Sequence, residues 1–129
     1  MKISTTIIAL LCFVIPSWSQ SATEEEAVKQ VIEDAFNHIF SELNPDVIED
    51  YFTPDFILLE DGKVWNNDSI RFFLREQVLP HVEKLKEENH TLERINRFDF
   101  IKISFSGNGA WVAYRNTGIF KIDGAMVDE

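Results

Sequence analysis

His38 and Glu42 lie four residues apart, the spacing that places two metal ligands on one helix face. No third ligand accompanies them, and no metal is expected. Asp55 follows Pro54 at the end of an expected helix, where a carboxylate ordinarily accepts backbone hydrogen bonds that hold the corner. Glu60 stands across an Asp61-Gly62 turn from Lys63, which reads as a solvated pair on a hairpin. Trp65, Trp111 and Tyr114 combine contact area with a polar tip. They suit a pocket for a flat apolar ligand or plain core packing, and Tyr51 is a further candidate wall. Arg115 falls on the same strand face as Trp111. It is either an interior cation that anchors an anion or carboxylate, or a sign that this face is the outer, wet one. The sequence has no glycine-rich phosphate loop, nucleophile elbow or cysteine pair, and no cofactor is expected.

These side chains need elements to carry them. Thr23 with Glu26 is a capping-box pair. From there Ala27, Val28, Val31, Ile32, Ala35, Phe36, Ile39, Phe40 and Leu43 recur at helical spacing, predicting a long amphipathic helix that starts at Thr23. Asn44-Pro45-Asp46 breaks it and caps a second helix carrying Val47, Ile48, Tyr51 and Phe52. Tyr51 to Trp65 predicts a helix end stopped by Pro54 and feeding a hairpin. The run Asn66-Asn67-Asp68-Ser69 caps a third helix with Ile70, Phe73, Leu74 and Val78 on one face. Pro80 is expected to interrupt that helix before a further piece over 81–89.

From Thr91 the period becomes two. Phe98 and Phe100 share one parity whereas Ile101, Ile103 and Phe105 share the other, which predicts a bulge or strong bend between Phe100 and Ile101. Ser106 to Gly109 turns the chain into a second long strand over 110–122, with Trp111, Ala113, Arg115, Thr117 and Ile119 on one face. Asp123-Gly124 then turns into a short strand from Ala125. Helices followed by an antiparallel meander predict an α+β domain with its helices on one face of a curved sheet.

Within the 129 residues, Lys2, the apolar run from Ile7 to Ile15, and the small residues Ser17 and Ser19 predict a secretory signal over residues 1–19, cut before Gln20. Residues 20–129 would then form one exported domain, periplasmic or secreted, with no stable membrane insertion. The cut removes Cys12, the single cysteine, so the remaining chain has no disulfide. The formal net charge of −10 disfavours nucleic acid as a partner. Asn67-Asp68-Ser69 and Asn89-His90-Thr91 fit the glycosylation pattern.

Several segments together resemble the nuclear transport factor 2-like superfamily, and within it the SnoaL-like small exported domains. They are Asn44-Pro45-Asp46, Tyr51-Phe52-Thr53-Pro54-Asp55-Phe56, Glu60-Asp61-Gly62 with Trp65, and Gly109-Ala110-Trp111-Val112-Ala113-Tyr114. The resemblance covers residues 20–129 and implies a cone-shaped antiparallel sheet with the N-terminal helices packed on its concave face. It also implies an apolar pocket, pairing with a second copy as a homodimer, and a chain that stops short of the family's last strand. Ketosteroid isomerase, of the same superfamily, uses a carboxylate base, and its spacing carries over from Asp55 to Glu60. Its tyrosine donor has no counterpart on the first helix, which has Phe36 and Phe40 instead. Three functions follow as expectations. The first is an apolar small-molecule-binding domain without assigned catalysis. The second is an isomerase, cyclase or dehydratase with Glu60 or Asp55 as base. The third is an interaction module using the sheet's face or its edge at Ala125 to Glu129.

Overall fold

The computed structural model describes residues 18–60 and 62–128. The predicted signal, as far as Ser17, and Asp61 of the predicted hairpin turn lie outside the described residues. The architecture is α+β, with a two-stranded antiparallel sheet lying between the earlier and later helices and a separate three-stranded antiparallel sheet following them.

The first helix, α1, spans Trp18–Ala35. Its predicted start at Thr23 is corrected, because Thr23 lies inside the helix and not at its cap. Once a turn exists, each added residue closes another backbone bond, and nothing between Trp18 and Thr23 breaks the ladder. The helix widens into a π turn, Phe36–Ser41, whose last bond runs from the Glu42 N–H to the Asn37 carbonyl at 2.8 Å. Leu43 then takes a left-handed φ of 55°, and Asn44 accepts from the Asp46 N–H at 3.1 Å. Pro45 opens a 3-10 turn, Pro45–Val47, that leads into α2, Ile48–Tyr51. The break expected at Asn44-Pro45-Asp46 is therefore present, with asparagine as its cap.

The hairpin β1, Leu58–Glu60, and β2, Lys63–Trp65, pairs Glu60 with Lys63 and has Gly62 at a φ of 72°. Helix α3, Asn67–Phe73, begins with reciprocal bonds between Asn66 and Ser69, a cap worth about 1 kcal/mol. Asn67, one of the glycosylation candidates, is buried and donates to the Thr53 carbonyl at 3.1 Å. Proline 80 does not end this helical run, contrary to expectation. A second π turn, Leu74–Val78, joins α3 to α4, Leu79–Glu87. The Leu79 N–H bonds five residues back to Leu74, so Pro80 falls in a new first turn, where an amide hydrogen is not required.

The three-stranded sheet is β3, Leu92–Ser106, β4, Gly109–Ile122, and β5, Ala125–Asp128, in that order. The β3–β4 register slips between Phe100 and Lys102, at the predicted parity switch, and leaves Ile101 as the extra, exposed residue. Asp123 and Gly124 both have positive φ, 51° and 81°, as a two-residue hairpin requires.

Asp123 also clasps the start of β3. Its carboxylate accepts from the Thr91 N–H at 2.9 Å and meets His90 Nδ1 at 2.6 Å, and these partners hold its pKa below the ordinary aspartate value. A carboxylate whose pKa is lowered on folding stabilises the fold above its unfolded pKa and stops doing so as pH falls through its folded value. We expect Asp123→Asn to unfold at a lower temperature than the native chain at neutral pH, with the gap closing as pH drops below about 4. Thermal melts across pH check this, and a gap independent of pH would refute it.

The core sits among the helices. Ile39, Ile48, Ile70 and Leu74 are almost completely enclosed, with Leu43, Phe52, Phe56 and Val78 packed around them. The three-stranded sheet docks on this body through its inner face, where Phe36 meets Phe98 at 5.3 Å and Tyr114 at 6.3 Å between ring centroids. Among the described residues no helix is long and apolar enough to cross a membrane.

Candidate functional site

Alternation along the two long strands decides what faces the helices. On β3 the half-buried residues are Leu92, Arg94, Asn96, Phe98 and Phe100, with Ile103 and Ser104 beyond the bulge. On β4 they are Val112, Tyr114, Asn116, Gly118 and Phe120, joined towards its end by Thr117, Lys121 and Ile122, and Ile119 is buried. Arg94 is thus an interior residue of the sheet, opposite Phe120.

Two apolar cavities lie beside it. The larger, about 180 Å³, is bounded by Phe40, Leu43, Leu74, Val78 and Phe120, and the smaller, about 140 Å³, by Phe36, Leu58, Glu60, Trp65 and Ile70. They share Phe40, Phe73 and Arg94 as walls. Each is close to the size of an engineered apolar cavity that accepts benzene. Both π turns contribute walls: Phe36, Phe40 and Ser41 come from the first, Leu74 and Val78 from the second. Such turns add a residue to the helical circuit and are frequent at functional sites.

The guanidinium of Arg94 lies over the rings of Phe40 and Phe120, at 5.3 and 5.4 Å from their centroids. Its Nε–H is buried and donates to no partner among the described residues. Burial lowers the Arg94 pKa, with the charge of Glu60 acting in the opposite direction. Trp65 stands edge-on to Phe73 at 5.4 Å, and its indole Nε1 is likewise buried without a partner. A buried N–H without an acceptor is costly, and these two belong to residues that line the smaller cavity.

The predicted site residues are divided by this geometry. Glu60 and Trp65 border the smaller cavity. Tyr114 packs within the adjoining aromatic cluster, 5.9 Å from Phe98 and 5.8 Å from Phe100, and burial raises its pKa. Tyr51 lies away from both cavities; its hydroxyl meets Nδ1 of His38, whose Nε2 is 4.0 Å from Glu42. Desolvation, followed by the charges of Asp34, Asp50 and Glu42, raises the Tyr51 pKa. Trp111 and Arg115 are on the opposite, solvent-facing side of the sheet; Trp111 is 79% exposed and Arg115 faces Asp99 at 3.9 Å. Of the two readings open for Arg115, the outer wet face is the one observed.

Asp55 is exposed. Its expected role at the corner is corrected: the Thr53 carbonyl holds that corner instead, accepting from Phe56 N–H at 3.0 Å and from Asn67 Nδ2 at 3.1 Å. A fixed backbone acceptor does the work without a charge. Among the described residues no group of three or more potential ligands is placed to hold a metal ion.

Sequence reasoning passed over Arg94. Its signal was the alternation itself, since Leu92, Arg94 and Asn96 share the parity of Phe98 and Phe100. Gly118 is its counterpart on β4. A Cβ there would lie 3.3 Å from both Nε and Nη2 of Arg94, so the missing side chain makes room for the cation.

The fold and cavity together define an α+β domain with an apolar, cation-bordered site. No family model, no curated protein and no solved structure matches the chain.

Proposed function

We propose that this chain is an exported domain that binds an apolar small molecule between its helices and the inner face of its sheet. The observation that carries this reading is the pair of apolar cavities sharing Phe40, Phe73 and Arg94. In this reading the sheet, with its bulge at Ile101, and the helices form the cone-like enclosure that the resemblance to the nuclear transport factor 2-like superfamily implies. The exposed Trp111 face supports pairing with a second copy, and the β5 edge, where Met126 and Val127 are exposed, is the alternative contact for an interaction module. Native mass spectrometry of the protein purified from its own source tests the binding reading. A retained small-molecule mass supports it; an empty chain bound to another protein shifts the function to the exposed sheet.

A second reading, proton abstraction by Glu60, is favoured by the place of that carboxylate at the smaller cavity. Asp55, exposed and outside both cavities, is the weaker base on geometry. Turnover abolished in Glu60→Gln, at an unchanged melting temperature, would establish the second reading. Ligand-induced stabilisation that survives in Glu60→Gln would establish the first.

A further inference from the structure

We infer that the ligand carries a carboxylate, held by Arg94 with the Trp65 indole N–H as second donor, while its apolar body fills the adjoining cavity. This rests on the binding reading above and names the chemical class that the site takes.

Three observations converge on it. Arg94 borders both cavities, yet among the described residues it is in no ion pair with a carboxylate. Phe40 and Phe120 hold the cation through ring contacts, which leave its N–H groups free for an acceptor. Gly118 adds no side chain beside the Nε and Nη2 edge, so β4 leaves the cation room to sit on the cavity wall. Apart from Ser41 and Glu60 the rest of the lining is aliphatic and aromatic, so the ligand's remaining atoms are mainly apolar. One cation, with the Glu60 carboxylate on the same cavity wall, matches at most a single negative charge on the ligand. A dianion would bring surplus charge against apolar walls and towards Glu60, which borders the same cavity.

The test uses the full chain and two probes of similar size, phenylacetate and 2-phenylethanol, titrated by calorimetry. A charge-assisted contact predicts that phenylacetate binds at least about tenfold more tightly. Arg94→Met, which keeps length and apolar volume, should abolish that preference while 2-phenylethanol still binds. Gly118→Ala is the second variant. It retains the cation but crowds its Nε and Nη2 atoms, and should weaken phenylacetate alone. Glu60→Gln should strengthen phenylacetate binding, because it removes an opposing charge. Equal affinity of the native chain for both probes, or an unchanged preference in Arg94→Met, overturns the inference and leaves the binding reading standing. Binding of neither probe overturns the inference together with the cavity reading beneath it.

Discussion

Replacing Ile39 by alanine is expected to destabilise the chain by about 2–5 kcal/mol, the range for emptying a fully buried aliphatic site. Ile39 has no exposed surface and is enclosed with Ile48, Ile70 and Leu74, which come from two other helical stretches of chain. Because it sits on the π turn that closes the first helix, its neighbours are held by helix geometry and cannot slide inward to fill the void. A domain of this size has a total stability of about 5–15 kcal/mol, so the loss is a large fraction of the whole. Urea unfolding followed by far-UV circular dichroism measures it. Val31→Ala on the same helix, at a residue 57% exposed, serves as the control and should change stability by less than about 0.5 kcal/mol. Equal effects at the two positions would mean that the core lies elsewhere.

The second large effect is expected at Phe36. This ring joins the first helix to the inner face of the sheet, meeting Phe40 at 5.5 Å as well as Phe98 and Tyr114. Phe36→Ala should cost about 3 kcal/mol, near the low end for such truncations because the ring is only half-buried. It should also enlarge the smaller cavity, of which Phe36 is a wall. A double-mutant cycle with Tyr114→Ala should return a coupling of about 0.5–1.5 kcal/mol, the value of an edge-to-face pair beyond its buried area. Additive losses would show that the sheet docks on the helices through other contacts. The cost at Phe36 and the altered cavity are linked, because the ring that fastens the sheet is also a ring that lines the site.

Much of the local structure was legible because it depends on near neighbours. The parity change after Phe100 announced the bulge, and Asn66 to Ser69 announced the cap of α3. Asn44-Pro45-Asp46 marked the helix break in the same way. Misreadings arose where a local signal competed with continuity of the chain. Thr23 has the composition of a cap but lies within a helix that has already begun, and Pro80 has the composition of a stop but is accommodated by the π turn before it. A π turn leaves no mark in hydrophobic spacing, since one extra residue in the circuit resembles ordinary scatter of the apolar stripe.

Arg94 and Arg115 separate the two levels most sharply. Both are arginines in long alternating strands, and sequence alone determined that each shares a face with aromatic residues: Arg94 with Phe98 and Phe100, Arg115 with Trp111. It also determined the element order, the hairpin turns, the register slip and the acidic charge, because those follow from the periodicity, turn chemistry and composition of the chain itself. Which face is interior was decided only by tertiary structure. The helices pack against the Phe98, Phe100 and Tyr114 side, bringing Arg94 beside the cavities and leaving Arg115 and Trp111 in solvent. Strand alternation defines two faces but cannot name the one that will be covered, because that depends on where distant segments carry Phe36, Phe40 and Phe73.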